Sequence, residues 1–246
     1  FHRGQARTCL EGWARRQTYP RDRYEVLLAA PHTHPTDDLD TLRAILTPHD
    51  RVLVLPDRHD MPLVAEAARQ AKGDALFFTE SHCWPEPDTL REASAVLGAH
   101  AEWAGFSGRS RRVTHNRLSV VEADLYEADI AYGMQHSTWR RILDQCFVVR
   151  REAYFAVGGF DASLGHFAEW MLAARFHRAG LAVGYAPNVV IHHYYIGEIG
   201  DWRDFTRDFV RGEMRACYTL RLVRGARLRL SRSGVVRGMW SYFAGG

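Results

Sequence analysis

Ala75-Leu76-Phe77-Phe78-Thr79-Glu80-Ser81-His82-Cys83-Trp84-Pro85 is the stretch whose reading decides the fold. Five residues of β-forming, mostly apolar character run straight into a carboxylate, a hydroxyl and an imidazole, and Pro85 and Pro87 forbid simple continuation. This predicts a buried strand that delivers polar groups to a sheet edge. Side chains alternate along extended chain, so Glu80 and His82 are expected on the same side, where both could reach one bound ion. Carboxyl ends of strands are where open α/β sheets bind ligands. A polar triplet after a strand is also what an ordinary loop looks like, so the metal reading depends on the rest of the chain.

Upstream, Tyr24 to Ala30 is a continuous apolar run that predicts a strand buried on both sides. Thr36-Asp37-Asp38 then offers an N-cap and an acidic first turn for a helix carrying Leu39, Leu42 and Leu46. Arg51 to Pro56 reads as the next strand, followed by Asp57 in a polar turn and a helix from Pro62 to Ala71. With an opening helix built on Leu10, Trp13 and Ala14, the order is helix, strand, helix, strand, helix, strand. Such alternation predicts an α/β fold with a mostly parallel central sheet, right-handed crossovers and helices on both faces. A helix in first place is unusual there, and a first strand is expected upstream of residue 1 or missing.

Downstream, a helix carries Leu90, Ala93 and Leu97, and Trp103 to Phe106 reads as a strand. Gly108 to Asn116 is rich in arginine and lacks acids, which suits a phosphate or carboxylate contact or a solvated mobile loop. Glu122 to Tyr132 looks helical. Cys146 to Arg150 predicts a strand, and a short helix after it closes at Gly158-Gly159, followed by Phe160-Asp161. One glycine is a plain helix stop; two together allow a close backbone approach or positive φ. Phe167 to Ala179 predicts a helix with Glu169 in its first turn, where the helix dipole alone would explain a carboxylate. Val183 to Pro187 and Val189 to His193 form a bent or double strand that finishes in two histidines. A pair at a strand end, matching Glu80 and His82 at theirs, is a candidate for metal ligation.

The 246 residues, 46% of them hydrophobic, are enough for one substantial core. A net charge of +3 is too balanced for a protein that coats nucleic acid. Cys9, Cys83, Cys146 and Cys217 are far apart, which excludes a zinc knuckle or disulfide scaffold and makes a reducing cytoplasm the expectation. No apolar run approaches a membrane span, and no signal peptide pattern opens the chain. From Asp201 the pattern changes: Arg203, Arg207, Arg211 and Arg215 recur every four residues, and Met214 to Gly246 has no acid. The expected division is therefore 1–200 and a basic amphipathic helical extension, 201–246. Such an extension suits the anionic inner face of a plasma membrane, and equally a solvated tail or a subunit contact.

Four segments in this order resemble a family 2 glycosyltransferase of GT-A fold. Cys9-Leu10-Glu11-Gly12-Trp13 through Gln17-Thr18-Tyr19-Pro20 resembles that family's first helix and its exit. Ala71-Lys72-Gly73-Asp74 into Glu80-Ser81-His82 resembles the step into the strand bearing the DXD motif. Gly158-Gly159-Phe160-Asp161 matches the acceptor-side turn. Ala168-Glu169 with Leu172 and Arg175, then Tyr185-Ala186-Pro187 to His192-His193, resemble the E-D segment and the strand that ends in a metal-side histidine.

The resemblance implies transfer of a sugar from a UDP, GDP or dTDP donor to an acceptor hydroxyl, usually with inversion and a divalent metal. The acceptor would be a bacterial-type glycan, a lipid-linked sugar or a small molecule. On this pattern Glu80, Ser81 and His82 hold the metal and diphosphate, with His192 or His193 completing the shell. Glu169 would be the general base, Gly158 to Asp161 would meet the acceptor, and Asp57 would stand in for the usual base contact. Imidazoles beside a carboxylate favour Mn²⁺ over Mg²⁺. Two departures matter: the usual Asp is replaced around Ala30-Pro31-His32, and the second motif keeps one acid instead of two. The rival readings are a non-catalytic sugar-nucleotide-binding or scaffold domain and a nucleotidyltransferase, the latter disfavoured because no glycine-rich signature follows an early strand.

Overall fold

The computed structural model describes residues 2–33, 36–56, 59–136 and 142–223. In chain order the elements are α1 (Ala6–Arg15), β1 (Leu27–Pro31), α2 (Thr36–Arg43), β2 (Arg51–Leu55), α3 (Asp60–Gln70), β3 (Ala75–Phe78) and β4 (Cys83–Pro85). There follow α4 (Thr89–Ala99), β5 (Trp103–Val113), α5 (Arg117–His136), β6 (Phe147–Arg150), α6 (Arg151–Ala156), α7 (Ala168–Arg178), β7 (Ala182–Tyr194) and α8 (Ile199–Val223).

Five strands form the main sheet in the order β3-β6-β5-β7-β4, and β1 and β2 pair separately in parallel. The α/β class with helices on both faces holds; the mostly parallel sheet does not. Only β5 and β7 run parallel in the main sheet, while β3-β6, β5-β6 and β4-β7 are antiparallel. The helix-strand alternation that predicts parallel neighbours ends at β3. Beyond it, β4 is a three-residue strand entered by a tight turn, with no crossover helix to return the chain in the same direction.

Alternation along β6 separates the two cores. Phe147 and Val149 face a cluster with Leu76, Phe78, Leu172 and Phe176, packed under α3, α6, α7 and α8. Val148 faces the opposite cluster with Phe106, Cys83 and Ile191, covered by α1 and α4. The first cluster includes an aromatic knot: Phe78 packs on Phe147, Tyr154 and Phe160 with ring centroids 5.1–6.1 Å apart. Such pairs add about 0.5–1.5 kcal/mol each beyond the area they bury. α8 belongs to this core through Phe209 and Ala216, and Asp208 accepts the His166 backbone N–H, so the start of the basic extension packs against the body. Residues 224–246 lie outside the described part. No helix among the described residues is long and apolar enough to cross a membrane.

On the other side α1 buries Cys9, Leu10, Trp13 and Ala14, one face of a helix at the predicted spacing. It crosses β4 so closely at Gly12 that a Cβ there would lie 2.7 Å from the Pro85 ring. Gln17 locks the crossing: its amide donates to the Gly12 and Glu86 carbonyls and its side-chain oxygen accepts from Leu90 N–H. α1 is thereby fixed beneath the turn that joins β3 to β4.

Two segments that the sequence leaves open are decided by the structure. The arginine-rich 108–116 stretch is not a mobile loop up to Val113, because β5 continues and pairs with β7 as far as Tyr194. Its charges find acids elsewhere in the chain: Arg111 meets Glu86, and Arg112 meets Asp124 and Glu127 on α5. Of a bent or a double strand at 183–193, the first is what forms: β7 is one strand. The bend lies where its register against β5 jumps, Ala186 opposite Gly108 and Val190 opposite Arg109.

Candidate metal centre

The chain reverses between β3 and β4 through a turn in which Cys83 N–H donates to the Glu80 carbonyl. Extended alternation is therefore not what brings Glu80 and His82 together; a four-residue turn does. Ser81 is the turn residue between them and is half-buried. The antiparallel register of β4 and β7 places Cys83 directly opposite His193, Trp84 opposite His192 and Pro85 opposite Ile191. Opposed residues share a face. One face of this two-strand ribbon thus holds Cys83 and His193 beside the turn carrying Glu80 and His82.

Glu80, His82, Cys83 and His193 each present a donor atom, and all four lie within 4.8 Å of one another. His82 Nε2 is 3.1 Å from Glu80 Oε2 and 3.2 Å from His193 Nε2. One ring N–H cannot point at both neighbours, whereas a cation at the centre can accept all three lone pairs. Those separations match the edge of a tetrahedron with metal–ligand bonds near 2.0–2.1 Å, roughly 3.3 Å. His82 and His193 are 5% and 6% exposed and Cys83 fully buried, while the half-buried Glu80 side chain reaches solvent. Cys9 Sγ closes the corner from below, 3.5 Å from the Glu80 carbonyl. Tyr195 packs on the His193 ring at 4.3 Å and Tyr126 meets it edge-on at 5.7 Å.

Without a bound ion the shifts at this corner follow from burial and from the charge of His82, whose place a bound cation would take. Burial on its own would push the Glu80 carboxyl up, but the charge and hydrogen bond of His82, backed by His193 and Arg3, outweigh it and hold Glu80 well below the usual carboxylate range. Burial, reinforced by the charge of His82, pushes His193 down to about 3, so its imidazole is neutral and offers a lone pair at neutral pH. Nearby Glu122 on α5 is driven the other way, up to about 7, chiefly by burial, against the pull of Arg3 and a backbone bond from Ile196. Three polar atoms around this corner have no partner among the described residues: His193 Nδ1, Glu122 Oε2 and the Tyr195 hydroxyl. Buried polar groups are rarely left so, which makes this corner a candidate ligand site. A carboxylate and two imidazoles fit a divalent ion of the first transition row; the thiol is a donor that Mg²⁺ and Mn²⁺ do not recruit.

Of the two candidate histidines, only His193 enters the cluster. His192, one residue away, is on the opposite face: its Nε2 is 2.9 Å from Glu86 Oε1, and its ring stacks on Trp84 at 5.6 Å. Glu86 also receives Arg111, so this imidazole is engaged in a surface ion-pair network. Glu169 stands half-buried in the first turn of α7 and is not a member of the cluster. Asp57 lies outside the described residues.

The Gly158 to Asp161 turn is bound to the fold at every position. Gly158 and Gly159 adopt φ +87 and +62, and Arg175 donates to the carbonyls of Val157 and Gly159. The Tyr154 hydroxyl accepts the Phe160 N–H, Phe160 is buried in the aromatic knot, and Asp161 accepts the Ser163 N–H and hydroxyl. The sequence reading missed Cys83, Glu122, Arg3 and Tyr195 at the metal corner. Cys83 could have been found, since it follows His82 directly and begins the strand that must pair with the histidine strand. The other three converge only through tertiary packing.

No family model matches the chain, nor does any curated protein sequence. Solved structures do. The mannosyltransferase PcManGT from Pyrobaculum calidifontis, in complex with GDP-Man and Mn²⁺, superposes with a TM-score of 0.58 at 20% identity, covering 82% of this chain and 57% of that one. TarS from S. aureus superposes with a TM-score of 0.55 at 14% identity over 83% of this chain and 36% of that one. Its 1-349 fragment in complex with UDP-GlcNAc gives 0.58 at 13% identity over 78% and 55%. The chain thus spans between about a third and somewhat over half the length of these relatives in structure. Its fold is the GT-A-type fold of nucleotide-sugar glycosyltransferases.

Proposed function

We propose that this chain, with the GT-A fold as its framework, moves a sugar from a nucleoside diphosphate to an acceptor hydroxyl with a divalent ion at the corner of β3, β4 and β7. The observation that carries the reading is the convergence of Glu80, His82 and His193 on one buried point. Support comes from similar folds solved with GDP-Man and Mn²⁺ or with UDP-GlcNAc.

A bound divalent ion supplies positive charge against the diphosphate as it leaves. Glu80 is kept ionised and His193 neutral, so both are in the form that binds a cation. Tyr126 and Tyr195 pack over His193 and keep water from it. Glu169 is the general base: its carboxylate takes the acceptor proton as the hydroxyl oxygen attacks the anomeric carbon from the side opposite the diphosphate, which inverts the centre. The Gly158 to Asp161 turn flanks the acceptor, and imidazole donors favour Mn²⁺ over Mg²⁺. The arginines of α8, Arg203, Arg207, Arg211 and Arg215, give the chain a peripheral contact with an anionic membrane on the cytoplasmic side.

The test is a thermal-shift and calorimetric screen of UDP-, GDP- and dTDP-sugars with and without Mn²⁺, since a ligand that binds only the folded form raises its stability. At least one donor is expected to raise the melting temperature only when Mn²⁺ is present. Glu80→Ala should lose that shift, and Glu169→Ala should keep it while losing turnover. Failure of every donor with metal present overturns the reading.

A further inference from the structure

We propose that Cys83 is a fourth protein ligand, making this corner a Glu-His-Cys-His site that takes Zn²⁺ in a closed tetrahedral shell in preference to Mn²⁺ or Mg²⁺. Two features of the backbone deliver the thiol. The turn at Glu80 to Cys83 puts it next to two donors in sequence, and the β4-β7 register sets it directly across from the third. Cys83 Sγ is 4.0 Å from Glu80 Oε2, and every donor lies within 4.8 Å of the other three. With Zn–S near 2.3 Å and Zn–N or Zn–O near 2.0 Å, a shift of roughly 1 Å closes the shell.

The chemistry of the set selects the ion. Two imidazoles, one carboxylate and one thiolate are the donors of a borderline-soft cation, and at such a site zinc outranks manganese in the general order of affinity. Mn²⁺ held by Glu80, His82 and His193 leaves coordination positions for a diphosphate. Zn²⁺ held by all four leaves none, so zinc in this corner competes with Mn²⁺ for one site and blocks the Mn²⁺-assisted transfer proposed above. The other cysteines on this side, Cys9 and Cys146, are not among the four converging donors.

The inference rests on the reading of this corner as a metal site, and its test is independent of any sugar donor. Co²⁺, a spectroscopic substitute for zinc, is titrated into the purified full chain, and zinc affinity is measured by competition with a chromophoric chelator. The expected result is the intense visible bands of tetrahedral cobalt with a near-ultraviolet thiolate-to-cobalt band, all abolished by one equivalent of Zn²⁺. Cys83→Ser should lose the thiolate band and weaken zinc by more than the roughly 10- to 100-fold that loss of an outer hydrogen-bond partner costs. Its melting temperature without metal should stay near that of the unsubstituted chain. A cobalt spectrum without the thiolate band in the unsubstituted chain overturns the proposal, even if the variant does not fold. So does Cys83→Ser binding zinc as tightly as the unsubstituted chain.

Discussion

Two turns in this molecule carry motifs that look functional in sequence, and the structure treats them oppositely. At Gly158 to Asp161 the polar groups described are matched within the fold, by Arg175, by the Tyr154 hydroxyl and by Ser163. At Glu80 to Cys83 the donors crowd together, and His193 Nδ1, Glu122 Oε2 and the Tyr195 hydroxyl around them lack partners. A buried polar group without a partner costs about 1–3 kcal/mol, so a fold that retains several in one corner has a use for them. The difference separates a turn whose polar groups are already matched within the fold from a turn whose surroundings still hold unmatched ones.

Breaking the first turn should therefore cost stability. Phe160→Ala removes a ring from the aromatic knot and is expected to lower the unfolding free energy by about 3–5 kcal/mol in a denaturant titration. If the knot is dispensable, the midpoint will stay where it was. Gly159→Ala sets a Cβ 2.7 Å from the Tyr154 ring at φ +62, and should cost about 2–4 kcal/mol by the same titration from combined strain and crowding.

Breaking the second turn should cost binding instead. His193→Ala is expected to weaken a divalent metal by about a hundredfold, near 2.7 kcal/mol, while His192→Ala leaves it unchanged. Calorimetry with Mn²⁺ and Zn²⁺ distinguishes the two, and equal losses would erase the contrast between the faces of β7.

The smallest effect sharpens the comparison through pH. Glu122 has its pKa raised to about 7 by burial, above the ordinary carboxylate value. The folded chain binds its proton more tightly than the unfolded chain, so this contribution is fully present below about pH 4.5 and is lost as pH rises through 7. Because the group is partly exposed and faces Arg3, the effect should be on the order of 1 kcal/mol. Glu122→Gln should flatten that part of the stability profile measured between pH 4 and 8, with the metal absent. An unchanged slope would mean that Glu122 is not held protonated.

Local pattern carried much of this in advance. The apolar runs at Leu76 to Phe78 and Phe147 to Val149 are strands, the 3.6-residue stripe on α1 is buried, and Glu80 and His82 of the polar triplet fall in one candidate cluster. For the arginines at 111 and 112 the carboxylate contact holds and the mobile loop does not, and the pattern could not decide between them because the partners, Glu86, Asp124 and Glu127, come from other elements. Strand direction was misread for a related reason: a tight turn replaces a crossover at β4, and hydropathy does not record direction.

The sequence by itself determined that there would be an α/β core and which residue types could ligate a metal, because periodicity and side-chain chemistry are properties of the local chain. Tertiary structure alone decided that His193, and not its neighbour His192, enters the cluster of donor atoms, and that Cys83 stands within it. That choice is made by the β4-β7 register, in which a shift of one residue would exchange the two faces and send the other histidine inward.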